Sequence, residues 1–203
     1  MIIVGITGGI ASGKTTVVNF LRKKRIAIHD SDLIVKKTYL NPSSRFINYL
    51  KKIGLKKSLK GKKINKKIIQ EEIFTYSKKR KLLETYLHKK VRIDRNKFLK
   101  THQKRKTKIV FLDIPLLFEN KLDKICDYTI LLYAPIKLRK KRAMKRKGMK
   151  KIVLEQIMKS QLSDRIKKRK ATFIVDTTNT KTKTFQKILF KIGSTKQQWE
   201  KSY

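Results

Sequence analysis

The sequence predicts an α/β fold built on a mostly parallel five-stranded sheet flanked by helices. Three observations predict it. Apolar, β-branched runs alternate with helical patterns along the chain. The first run meets the first helical pattern through a glycine-rich turn, Gly8-Gly9-Ile10-Ala11-Ser12-Gly13-Lys14-Thr15. A long stretch, residues 31–107, has little strand character and carries apolar residues at roughly helical spacing, as a helical insertion on one side of a core would.

The strands are expected at 2–7, 26–29, 108–113, 128–133 and 172–175. The opening run MIIVGIT reads as a buried strand, and TVVNFLRKK, residues 16–24, as the helix that follows. Within the insertion, Leu33, Ile34, Phe46, Ile47, Leu50, Ile68, Ile69, Ile73, Phe74, Leu82, Leu83, Tyr86 and Leu87 carry the helical spacing. Residues 56–67 (KKSLKGKKINKK) contain Gly61 and few apolar side chains, so a loop is expected there. The expected organisation is therefore a core made of 1–30 and 108–203, interrupted by the insertion 31–107. The tail after Gly193 is polar and is expected to fray, with Trp199 as the residue that would dock.

The glycine-rich turn has the form G-x-x-x-x-G-K-T, a phosphate-binding loop. Such a turn between strand and helix leaves several backbone N–H groups pointing at one spot, which the positive end of the helix dipole also faces. A polyphosphate fits there. The candidate nucleotide-binding residues are Gly8, Gly9, Ile10, Ala11, Ser12, Gly13, Lys14, Thr15 and Thr16. Lys14 would reach the terminal phosphates, and the Thr15 hydroxyl would bind Mg²⁺.

Two aspartates, Asp30 and Asp32, follow the second expected strand. Residues two apart in an extended segment point the same way, so the two carboxylates are expected to face one site beyond the carboxyl ends of the strands. One would orient or deprotonate a substrate hydroxyl; the other would help hold Mg²⁺ or position the loop. The competing reading is a helix cap, from Asp30 or Ser31, on a helix beginning near Leu33. Ile109-Val110-Phe111-Leu112-Asp113 is an apolar run ending in an acid, the shape of a Walker B strand whose Asp assists Mg²⁺. Pro115 stiffens the Pro-Leu-Leu-Phe-Glu turn that follows, and Glu119 reads as a simple helix or loop residue. After the fourth strand, Arg139, Arg142 and Arg146 fall on one helical face, where arginine forks suit closure over a γ-phosphate or form a solvated basic face.

Composition bounds the remaining classes. At 203 residues the chain is long enough for one domain with a proper core and small insertions. The net charge of +41 suggests nucleic acid, but its distribution does not. Of the 55 basic residues, 43 are lysine and 12 arginine, scattered over nearly the whole chain. A surface that reads phosphates would concentrate its charge and favour arginine, so no specific nucleic-acid partner is expected. Cys126 is the only cysteine, which excludes an internal disulfide and fits a reducing cytoplasm. No apolar run is long enough to span a bilayer, and the start lacks the charged region of a signal peptide. The oligomeric state is not legible.

Together these residues resemble the dephospho-coenzyme A kinase family. The matching elements are IVGITGGIASGKTTV, HDSDLIV, YLHKKVR, VFLDIPLLFE and QLSDRIKKRKATFIVD, in the family's order over about residues 3–176. The resemblance implies a P-loop kinase-like fold with a helical substrate-binding insertion and a helical lid at about 136–150. It implies transfer of the γ-phosphate of ATP, with Mg²⁺, to the ribose 3′-hydroxyl of dephospho-CoA. It assigns Asp32 as catalytic base, Lys14 and Thr15 as phosphate and Mg²⁺ groups, and Arg142 as a lid arginine. Thr7 would line the same site, and His88 and Arg92 would fall near the acceptor. The chain departs from the family's pattern at Lys89, where proline is frequent. It departs again at Val175-Asp176-Thr177-Thr178-Asn179, where the family is usually rich in Asn with Gly. The competing readings are another small P-loop kinase acting on a nucleoside, nucleotide or shikimate-like acceptor, a nucleic-acid-binding ATPase, and an inactive relic.

Overall fold

The computed structural model describes residues 1–61, 63–178, 183, 184, 186–188, 190 and 193; Asn179 and Trp199 lie outside the described residues. The chain divides into two compact units, one formed by Met1–His29 with Lys106–Tyr203 and the other by Asp30–Arg105.

The first unit is built on a five-stranded sheet: β1 (Ile2–Gly8), β2 (Ile28–Asp30), β5 (Ile109–Asp113), β6 (Tyr128–Tyr133) and β7 (Phe173–Asp176), in the order β2-β5-β1-β6-β7. β1 runs parallel to β5 and β6, and β6 runs parallel to β7. The core strands are continuous apolar runs because both faces are covered. Helix α1 (Lys14–Lys23) buries Val17, Val18 and Leu21. Val17 and Leu21 pack with Ile2, Val4, Ile6, Phe111, Ile130, Leu132 and Val175 in one cluster. β2 and β5 lie on one side of β1, β6 and β7 on the other. The glycine-rich turn leaves β1 at this reversal of strand order, where open α/β sheets bind ligands.

β2 starts two residues later than the sequence suggests, and the cause is the end of α1. Ile26 N–H donates to the Leu21 carbonyl (3.1 Å) and Arg25 N–H to that of Arg22 (2.9 Å), with Arg25 at φ 58°. This Schellman closure uses Ile26 to satisfy the helix end. β7 is likewise shifted by one residue, to Phe173–Asp176.

The second unit is mainly helical: α2 (Ser31–Leu40), α3 (Ser44–Lys52), α4 (Lys66–Thr75) and α5 (Ser77–Lys104). Its core is Phe46, Leu50, Ile53, Leu55, Ile69 and Leu83. Tyr86 stacks on both Phe46 (5.1 Å) and Tyr49 (4.4 Å). Ser43 caps α3 and Asn65 caps α4. The loop expected at 56–67 is instead a 3₁₀ turn (Lys56–Ser58), an antiparallel pair β3 (Leu59–Lys60) and β4 (Lys63–Ile64), and the start of α4. Leu59 pairs with Ile64, and both pack on this core, so two apolar residues suffice to pin the hairpin. Phe74 (84 % exposed), Leu82 and Leu33 carried the helical spacing but lie on the outside.

Candidate active site

The phosphate-loop sequence folds as a tight turn on the end of β1. Ser12 N–H donates to the Gly9 carbonyl (3.1 Å), and Thr16 and Val17 N–H to that of Gly13 (3.1 and 3.2 Å). Gly13 is the N-cap of α1 with φ 87°, a conformation that favours glycine. The amides of Gly13, Lys14 and Thr15 open the helix and have no intrahelical acceptor. No acidic side chain sits in the first turn to offset the positive end of the dipole. Ser12 is buried, and its Oγ has no hydrogen-bond partner among the described residues.

Lys14 Nζ lies 2.6 Å from Asp113 Oδ1, in an ion pair with 15 % and 6 % of the two side chains exposed. β5 ends at Asp113, and the strand beside it ends at the loop, so the sheet brings these two residues together. Thr15 is exposed one residue beyond Lys14. Among the described residues no group of three or more His, Cys, Asp or Glu could cage a metal. One hydroxyl and one carboxylate instead suit Mg²⁺, which keeps waters and takes its other ligands from substrate phosphates.

Helix α6 (Ile136–Met144) carries Arg139 and Arg142; Arg146 lies beyond its end and is exposed, so the three arginines do not share one helical face. Arg142 donates to the Thr177 carbonyl (3.0 Å) and hydroxyl (3.4 Å). The Thr177 hydroxyl in turn donates to the Ser12 carbonyl (2.8 Å). Arg142 is thus linked to the loop through the segment after β7. Arg139 is buried and touches the loop directly. Its Nη1 takes the space a Cβ on Gly9 would need, so a side chain there would have to displace the guanidinium.

Beside it, the segment after α7 (Lys151–Lys159) braces the loop. Gln161 Oε1 accepts the Ile10 N–H (3.1 Å), and Glu119 Oε1 accepts that of Leu162 (2.9 Å). Glu119 also pairs with Lys167 (2.9 Å), whose side chain is 1 % exposed. Glu119 is therefore the partner of a buried lysine in an ion pair, not a simple loop residue. Its partners lie 43 and 48 positions on, beyond the reach of any local pattern. Of Gln161, Asp164 and Lys167, only the matching segment QLSDRIKKRKATFIVD gave any sign.

Thr7 is fully buried, and its hydroxyl donates to the Pro115 carbonyl (3.0 Å), tying β1 to the apolar turn. Asp176 closes a turn by accepting from Thr178 N–H (2.7 Å). The hydrogen bond to Thr178 and, more weakly, the nearby Lys187 and Lys168 hold its carboxyl below the usual range, against a smaller opposing effect of burial.

In the second unit the two aspartates separate. Asp30 is the N-cap of α2, accepting from Leu33 N–H (2.8 Å). Asp32 lies in the first helical turn and is exposed. The extended spacing expected to align them does not exist, because the helix begins at Ser31. His88 and Arg92 are exposed one turn apart on α5.

The dephospho-CoA kinase family model matches residues 2–183. A dephospho-CoA kinase of Bartonella henselae is 35 % identical over 195 residues, 96 % of this chain and 98 % of its own length. One from Fusobacterium nucleatum is 32 % identical over 188 residues, covering 93 % and 95 %. Among solved structures, a dephospho-CoA kinase from Campylobacter jejuni matches with a TM-score of 0.71 at 27 % identity, over 96 % of this chain and 97 % of that one.

Proposed function

The chain belongs to the dephospho-CoA kinase family, and from that membership we propose that it transfers the γ-phosphoryl group of ATP to the ribose 3′-hydroxyl of dephospho-CoA, giving CoA and ADP. The observation that carries this reading beyond family membership is the intact phosphate loop with Lys14 and Asp113 in contact at its mouth.

Phosphoryl transfer asks a protein chiefly for positioning and for neutralisation of charge. Residues 8–16 bind the ATP phosphates through backbone amides, and Lys14 turns from Asp113 toward the terminal phosphates. Thr15 and Asp113 are the residues that would hold Mg²⁺, which would supply positive charge to the transferring phosphate. Asp32 orients the acceptor hydroxyl and takes its proton. His88 and Arg92 contribute to dephospho-CoA binding. Arg142 and its helix serve as a lid over residues of the loop, excluding water and limiting ATP hydrolysis.

ADP release measured with Mg·ATP and a panel of acceptors tests the reading: dephospho-CoA, nucleosides, nucleotides and shikimate. Selective stimulation by dephospho-CoA supports it. Stimulation by another acceptor keeps a phosphate-loop kinase and discards this substrate.

A further inference from the structure

We propose that Arg139 is a positioning residue of the phosphate loop. Held by Asp164, it fixes the loop at Gly9 and sets a permanent positive charge beside the bound polyphosphate. The proposal deepens the kinase reading and rests on residues 8–15 being the phosphate site.

This chain leaves most of its cations in water, and Arg139 is one of few buried among the described residues, at 5 % exposure. A buried guanidinium is tolerated where its donors are met. Nε donates to the Ala134 carbonyl (2.9 Å), at the end of β6. Nη2 pairs with Asp164 Oδ2 (2.5 Å), at the start of α8 (Asp164–Lys170). These two contacts orient the fork and leave Nη1 against Gly9, in the space any side chain would need. On the next residue, Gln161 takes the Ile10 amide. Two consecutive loop residues are thus held from outside, upstream of the amides at the helix start.

Such an arrangement does what a mobile surface lysine does not. A fixed charge in a site with little water acts strongly on developing phosphate charge and costs no reorganisation. Asp164 is one-third exposed, so it orients Arg139 while leaving the local charge less than fully cancelled. Arg142 reaches the loop one step removed, through Thr177 and its bond to the Ser12 carbonyl.

Calorimetric binding of ATP, ADP and adenosine to the full chain, with no acceptor present, tests this in Arg139→Gln and Asp164→Asn, with thermal melting as the folding control. Arg139→Gln is expected to weaken ATP by about tenfold or more, ADP by less and adenosine by under about twofold. Asp164→Asn keeps the charge but loosens it, and is expected to weaken ATP by about threefold. The proposal is overturned if ATP affinity stays within about twofold of wild type in both variants while melting falls, since Arg139 is then only a packing brace. Equal weakening of ATP and adenosine also overturns it, because that reports collapse of the nucleotide site. The binding measurement uses no acceptor, so failure to make CoA would refute the proposed function without touching this result.

Discussion

Lys14, the first residue of α1, and Asp113, the last of β5, hold each other, Nζ to Oδ1 at 2.6 Å, with both side chains largely buried. The lysine offered to the phosphates and the acid offered to Mg²⁺ are each other's partners in this structure. Nucleotide and metal binding would therefore replace one ion pair by two new ones.

Lys14→Ala leaves the Asp113 carboxylate buried without this cation, which is expected to cost about 3 kcal/mol in urea unfolding. Lys14→Ala/Asp113→Ala should recover part of that loss. Mg²⁺ should raise the melting temperature of Lys14→Ala more than that of wild type, because the acid is released to it. Equal shifts would show that Asp113 does not meet the metal.

The two neighbouring aspartates should separate by readout. Asp30 caps α2, so Asp30→Ala is expected to cost about 1 kcal/mol of stability. Asp32 is exposed in the first turn of α2, so Asp32→Asn should leave stability within about 0.5 kcal/mol. As the proposed base, it should lower kcat by about 10² or more with ATP affinity nearly unchanged. Loss of turnover and ATP binding in equal measure would make Asp32 a structural residue.

Glu119→Gln removes the charge opposite Lys167, and a buried ammonium left alone is expected to cost about 3 kcal/mol in chemical denaturation. Glu119→Leu/Lys167→Met replaces both charges by apolar groups and should be closer to wild type in stability. Its phosphate loop should nonetheless bind ATP less well, because Leu162 N–H loses its acceptor and Gln161 its anchor.

Asp176 titrates below the ordinary carboxylate range, so the folded state binds its proton less readily than the unfolded chain does. Its contribution is therefore complete at neutral pH and is lost as pH falls through the lowered folded value. The stability gap between wild type and Asp176→Asn should accordingly be largest near neutrality and close in acid. A gap independent of pH would show that the turn, not the charge, matters.

Much of this fold is legible in the sequence because the central strands are buried on both faces. Ile2–Gly8, Ile109–Asp113 and Tyr128–Tyr133 read as unbroken apolar runs. The glycine-rich turn is legible because few other sequences build it. What is not legible depends on partners distant in sequence. Leu59 and Ile64 form a hairpin only because a core lies beneath them, and Lys56 and Lys57 beside them read as loop. The links of Arg139 to Asp164 and of Gln161 to Ile10 have no period and no spacing rule. Asp30 and Asp32 were legible as a pair, but their geometry turned on one fact the spacing leaves open: α2 begins at Ser31.

The most direct test of the central claim is mass spectrometry of the products formed by the purified protein from Mg·ATP and dephospho-CoA. The account predicts a product one phosphoryl group heavier than dephospho-CoA, identical to CoA in fragmentation and absent with Lys14→Ala. Unchanged dephospho-CoA beside a phosphorylated nucleoside, nucleotide or shikimate in parallel reactions would contradict it.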